Sequence, residues 1–213
     1  MKIKNILTLS AITIGLASQQ AFAESSNYFK IGGNLSLASS FESNDYPFSI
    51  NTKSGVMPEI TFGHTFNKRW GVEVGYQRAA NAIENTLISG VGVPAIKGDL
   101  QLETFMIKGI YQLSQNTSPM FQPYAGLGFG NTSIKVAGMV LEGDDGFWDA
   151  EGTTASTQLT LGNRFSFNDG WFGDLAVNYT DLGKPKITYR SGLIEEFKAS
   201  AVTSVSFAVG SKF

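Results

Sequence analysis

The stretch "TSVSFAVGSKF" (Thr203–Phe213) places Val205, Phe207 and Val209 at every second position, and Phe213 falls in step with them. Ser204, Ser206, Ala208, Gly210 and Lys212 take the alternate places. A spacing of two sends neighbouring side chains to opposite faces of a β-strand. One face is therefore large and apolar, the other small and polar. The end of a soluble domain is usually frayed and polar, yet this row stays apolar through Phe213. What the apolar face touches decides the fold.

The same rhythm recurs upstream. In "NYFKIGGNLSLA", Phe29, Ile31, Leu35 and Leu37 alternate with Lys30, Gly32, Asn34 and Ser36. Val56, Pro58, Ile60 and Phe62 alternate with Met57, Glu59, Thr61 and Gly63; Trp70, Val72, Val74 and Tyr76 alternate with Gly71, Glu73, Gly75 and Gln77. Four more segments follow, with apolar rows Phe105–Ile107–Tyr111–Leu113, Phe121–Ala125–Leu127–Phe129, Leu159–Leu161–Phe165 and Trp171–Leu175–Val177–Tyr179. Met106 and Ile110 blur the first of these. Counting the stretch quoted first, the periodicity predicts eight strands and no helix after the N-terminal segment.

The connections alternate in length. Short ones are expected at Asn67–Arg69, Ser114–Pro119 and "NDG" (Asn168–Gly170), the last a strong tight-turn signal. Long ones are expected at about 40–55, 80–99, 131–153 and 181–195. An up-and-down antiparallel sheet with one plain end and one dressed end has this order, and transmembrane β-barrels share the asymmetry.

Alternation alone does not say which face is outside, because a soluble up-and-down barrel lines its cavity with the apolar set. Three features place that set outside. Charged residues are 16% of the chain, below the usual quarter, so the other row is poor in the groups that solvate a surface. An eight-stranded interior is just wide enough for ordinary side chains and has no room for Phe and Trp from every strand. Phe66, Trp70, Tyr111, Phe121, Phe165, Trp171 and Phe213 gather beside the short turns, as a girdle does at a membrane interface. The expected fold is all-β: an eight-stranded antiparallel up-and-down transmembrane β-barrel, with the apolar face against lipid and both termini periplasmic.

The N-terminus agrees with export. Residues 1–23 carry Lys2 and Lys4, an apolar run from Ile6 to Leu16 and the small-residue ending Ala21–Phe22–Ala23. That is a secretory signal peptide, its apolar run too short to cross a bilayer. Cleavage there leaves residues 24–213 as one barrel domain. Loss of the two lysines leaves 18 acids against 14 basic residues, a balance that argues against a nucleic-acid partner. The chain has no cysteine, so neither disulfides nor thiol chemistry is available.

The chain also resembles a known family. A last strand with apolar residues at alternate places and a final Phe resembles the terminal signature of Gram-negative outer-membrane proteins. "PYAGLGFG" (Pro123–Gly130) and "WGVEVGYQ" (Trp70–Gln77) resemble recurrent stretches of the OmpA-like and OmpX/Ail-like eight-stranded barrels. The resemblance implies a Gram-negative outer-membrane location. It also implies that Val205, Phe207, Val209 and Phe213 form an assembly signal read by the barrel-insertion machinery. Ser211 departs from the family, which more usually has an aromatic or aliphatic residue there. Larger OmpA-type proteins carry a peptidoglycan-binding domain after the barrel; this sequence ends at the barrel, so no cell-wall tether is expected.

The one histidine, His64, lies by parity on the lipid-facing row near the periplasmic rim, across the membrane from lipopolysaccharide esters. A base must reach the bond it serves, so His64 reads as an interfacial residue. No GxSxG elbow and no metal-ligand spacing is present. No cofactor is expected. Lys30, Glu59, Glu73, Lys108, Arg164 and Asp174 all point inward by parity, three cations and three anions that should pair as a plug. Arg164 has Glu59 and Glu73 as candidate partners; a gated ion path through the network is the competing reading. In the expected loop 131–153, Asp144 and Asp145 flank a segment with Phe147 and Trp148, candidate contacts for an extracellular protein or glycan. The spacing of the acids is not that of an EF-hand Ca²⁺ loop. The apolar segment 80–99 reads as strands prolonged above the membrane, or as an edge for β-augmentation. The leading expectation is a monomeric structural and surface-interaction protein in lipid and lipopolysaccharide, possessing four long external loops. A small pore and a lipid A or phospholipid acyl-modifying enzyme are the rivals.

Overall fold

The computed structural model describes residues 25–213, apart from 38–39, 44–47, 53, 89–90, 94–96, 115–120, 141–146, 168–169, 190–191, 193 and 200. The signal-peptide segment, Asp144 and Asp145 lie outside the described residues. The strands are β1 (Ser26–Ser36), β2 (Ser40–Ser43), β3 (Phe48–Thr52), β4 (Gly55–Thr65), β5 (Trp70–Ile88), β6 (Val91–Val93) and β7 (Lys97–Gln112). They continue as β8 (Gln122–Val140), β9 (Phe147–Ser166), β10 (Trp171–Asp181), β11 (Lys186–Tyr189), β12 (Ile194–Ala199) and β13 (Val202–Lys212).

Eight of these close a ring in the order β1–β4–β5–β7–β8–β9–β10–β13, antiparallel throughout. Closure runs between β13 and β1, from Tyr28↔Lys212 to Ser36↔Ser204. At the short-turn end Asn67 Oδ1 accepts backbone N–H bonds from Arg69 (2.8 Å) and Trp70 (2.9 Å), the self-closing geometry that makes Asn a turn residue. Gly170 takes φ +94° in the third short turn, where an L side chain would be strained.

Of the long connections, 80–99 follows its reading as prolonged strands, while 131–153, expected as a loop, does not. Segments 80–99 and 131–153 are mostly strand: β5 and β8 run for 19 residues and β9 for 20. Above the membrane the sheet continues as β9–β11–β12–β2–β3–β5, so the short pieces prolong β10, β13, β1 and β4 as an upper storey. The upper part of β5 pairs with β3 on one side and β6 on the other. Phe147 and Trp148 therefore sit at the start of β9, opposite Val140 and Met139, and not in a free loop.

Polarity exchanges sides along the strands. In the lower barrel the outward row is apolar and exposed: Ile31, Phe62, Val74, Ile107, Leu127, Leu161, Val177 and Phe207 all face out. Higher on β8 the outward residues become Asn131, Ser133 and Lys135, while Ile134 and Val136 turn inward and are buried. An interior apolar core, including Ala79, Leu100, Leu102, Ile134, Ile187 and Phe197, fills the upper storey. The lower barrel is thus ordered for lipid and the upper one for water, on one continuous sheet.

Candidate functional site: the filled lumen

Parity places the six sequence-predicted charges inside, and the structure brings them into one cluster. Glu73, 1% exposed, is its hub. Its Oε1 lies 2.8 Å from Lys30 Nζ and 3.2 Å from Arg164 Nη2, and accepts a 2.7 Å bond from the Tyr28 hydroxyl. Its Oε2 accepts no hydrogen bond and faces the Lys108 ammonium at 3.4 Å. Asp174 is the second anion: Oδ2 is 3.3 Å from Arg164 Nε and 3.5 Å from Lys30 Nζ, and Oδ1 accepts from the Tyr124 hydroxyl at 2.6 Å.

Glu59 is a correction. It was expected as a partner of Arg164, but it pairs with Lys108 at 3.5 Å, while Asp174 takes the place beside the guanidinium. The reason is register. Asp174 lies directly opposite Arg164 on the neighbouring strand, and cross-strand neighbours meet first.

Three aromatic rings inside the tube were not singled out in the sequence. Arg164 Cζ stands 4.5 Å from the Tyr28 ring centroid, 4.6 Å from Phe172 and 5.6 Å from Tyr124, a desolvated cation held between π faces. Rings fit in so narrow a tube because glycines face them. A Cβ on Gly63 would strike the Tyr28 ring, one on Gly162 the Tyr124 ring and one on Gly210 the Phe172 ring. Their signal was present: Tyr28 and Phe172 are out of step with Phe29 and Trp171, and so must point inward.

Above the charges lies a layer of amides and hydroxyls. Asn34 donates to Glu59 and Gln77, Asn178 donates to Asn34 (3.0 Å) and Ser206 (3.1 Å), and Thr104 bonds Thr132 (2.9 Å). A gap of about 10 Å³ among Lys30, Glu59, Lys108 and Asp174 has room for about one water. Above this layer comes the apolar core of the upper storey.

The other predicted residues take simpler places. Val205, Phe207 and Val209 face outward on β13, and Phe213 beyond it is 74% exposed. Trp70 packs on Tyr111 at 4.7 Å between centroids, and exposed Phe121, Phe167 and Trp171 share that rim. Phe167 is exposed there, whereas Phe165 is half-buried. His64 Nδ1 meets Asn27 Oδ1 at 2.8 Å, and its ring packs on Phe66.

A closed sheet with an apolar belt outside and paired charges inside is a transmembrane β-barrel of the Gram-negative outer membrane, set among its lipid and lipopolysaccharide. The chain belongs to the outer membrane protein beta-barrel domain family, which residues 9–213 match. Its fold is similar to that of OprG from Pseudomonas aeruginosa, with 17% identity, TM-score 0.61, and 91% of this chain and 98% of that one covered. Neisserial surface protein A is 20% identical with TM-score 0.58, over 89% of this chain and 99% of that one. Ail of Yersinia pestis, solved with the heparin analogue sucrose octasulfate, is 16% identical with TM-score 0.53, over 89% and 99%. At these identities the likeness is one of fold. Among curated proteins, none matches the chain by sequence.

Proposed function

We propose that the barrel is a plugged, non-enzymatic scaffold that holds its upper storey at the cell surface for contact with a protein or glycan. The observation that carries this reading is the filled interior, from the Arg164 clamp through the charge cluster to the apolar core around Phe197. A conducting path would have to break several buried ion pairs in series, and removing one partner of such a pair typically costs about 3–5 kcal/mol. The outward rows of the storey carry mixed charge, with an Arg78–Glu103 pair at 3.6 Å and Lys135 opposite Glu151. Such a ladder suits a polar partner. Ail's complex with a sulfated sugar gives precedent for glycan contact on this fold. The bond from His64 to the Asn27 amide oxygen at the rim is that of an interfacial residue, in keeping with a non-enzymatic reading.

Two measurements test this. In planar bilayers the wild-type barrel is expected to show no stepwise conductance; discrete steps that grow with salt would replace the scaffold by a pore. In pull-downs from target-cell surface extracts, a variant with β2–β3, the β5–β6 tip, the β8–β9 tip and β11–β12 trimmed is expected to lose the partner while still resisting SDS unheated. Equal capture by both forms would refute the surface role.

We read the outward row of β13, with Phe213, as the segment handed to the insertion machinery. Phe213→Ala is expected to lower outer-membrane assembly severalfold, leaving export across the inner membrane unchanged. Wild-type levels of assembled barrel would reduce Phe213 to a girdle residue.

A further inference from the structure

The short-turn end of the barrel opens into a vestibule of about 260 Å³ that the plug does not fill. Its floor is Tyr28 and Arg164, its wall includes Ser26, Thr65, Gln112 and Gln122, and Arg69 and Lys212 stand at its mouth. Among the described residues, every charged side chain lining it is a cation. The carboxylates of the lumen cluster do not line the vestibule. The cluster's three cations already face three carboxylates, all turned toward the barrel centre.

Lys212 is the informative residue. Its side chain is exposed at the rim, and no carboxylate pairs with it among the described residues; its ammonium lies 6.0 Å from the Phe172 ring. That ring already carries Arg164 at 4.6 Å. Two cations thus share one ring, an arrangement that gains from an anion between them and solvent. Arg69 is free to turn inward, since its side-chain bond to the Tyr111 hydroxyl is long (3.4 Å) and exposed. On the wall, the Gln112 side-chain oxygen is buried with no hydrogen-bond partner. Turned about, that amide presents two N–H donors to the cavity.

We propose that this vestibule binds a phosphate group presented from the periplasm. Cations from several sides, with hydroxyl and amide donors between them, match an anion having acceptor oxygens in every direction. The volume admits a small phosphate ester and excludes a folded partner. The same chemistry is offered by a soluble phosphate ester and by the headgroup of an inner-leaflet phospholipid reaching over the rim.

The test uses the folded full barrel, isotope-labelled, at low ionic strength. One arm titrates inorganic phosphate and glycerol 3-phosphate into zwitterionic micelles. The other compares nanodiscs of phosphatidylglycerol with nanodiscs of a zwitterionic lipid. Saturable NMR shifts are expected at Arg69, Trp70 and Lys212, weakened about tenfold by Arg69→Gln with Lys212→Gln and left unchanged by Lys135→Gln on the upper storey. Saturation by soluble phosphates identifies a soluble ligand; shifts confined to phosphatidylglycerol discs identify a headgroup. Arg69→Gln alone, on an exposed turn, serves if the double variant does not fold. No saturable shift in either arm, or equal affinity in wild type and variant, overturns the proposal, without bearing on the surface role of the opposite end.

Discussion

Glu73→Ala should lower the temperature at which the SDS-resistant band converts to the unfolded form further than the loss of any other lumenal side chain. Among the described residues, Glu73 alone meets Lys30, Lys108 and Arg164 together, and it also takes the Tyr28 hydroxyl bond. Its removal leaves three cations around a single remaining deep anion, Asp174, with Glu59 to one side. Breaking one buried pair costs about 3–5 kcal/mol, and Glu73 takes part in three, so the loss belongs at the upper end of that range. Glu73→Gln keeps the shape and the acceptor for Tyr28 but not the charge, and should fall between wild type and alanine. Thermal conversion followed on unheated gels, with circular dichroism alongside, measures both. An alanine variant converting at the wild-type temperature would mean that the cations find solvent, and that the cluster is wet and not a plug.

Phe197→Ala should act on the upper storey alone. Phe197 is fully buried in the apolar core above the polar layer, on β12, which links β11 to β2. A Phe→Ala change in a packed core costs about 3–5 kcal/mol, the lost transfer energy plus the cavity. Pieces of four to six residues such as β2, β11 and β12 have little else to hold them. Added protease is therefore expected to cleave the variant within residues 40–52 or 186–199 at a rate at least about tenfold above wild type. The core around Phe197 lies above the charge cluster, whose ion pairs stay intact, so the unheated band should convert at nearly the original temperature. Protease resistance equal to wild type, or a collapse of heat resistance, would show that the two storeys are one cooperative unit.

The lower barrel was legible in the sequence because its physics is a strict period of two. Most outward rows carry an aromatic at the plain rim, so phase is fixed at Trp70, Trp171 and Phe213, and the inward identity of Lys30, Glu73 and Arg164 follows. Which charge meets which was not legible. Pairing depends on stagger between strands, which put Asp174 opposite Arg164 and moved Glu59 to Lys108. The inward aromatics were obscured by a rule that large rings stay outside, which fails wherever a glycine stands opposite. The part of the upper storey over 131–153 was misread for a different reason. On β8 the period persists past Gly130 but its polarity reverses, so Ile134 and Val136 break the phase that Leu127 and Phe129 had set. A pattern that changes phase looks like the end of a strand. Here it marks the surface of the membrane.

That reversal also fixes how deep the barrel rides. Sliding inward by two residues along β8 would carry Asn131 into hydrocarbon and bring Lys135 to its border, while lifting Phe121 and its girdle neighbours off their interface. Arginine or lysine on the lipid face costs about 2–4 kcal/mol at mid-bilayer and less near the edge, and the ring of strands shares the penalty. The storey therefore stands at one height above the bilayer. Because β5, β7, β8 and β9 pass through the boundary unbroken, a pull on its tip is shared around the whole hydrogen-bonded wall instead of being taken up by a slack loop.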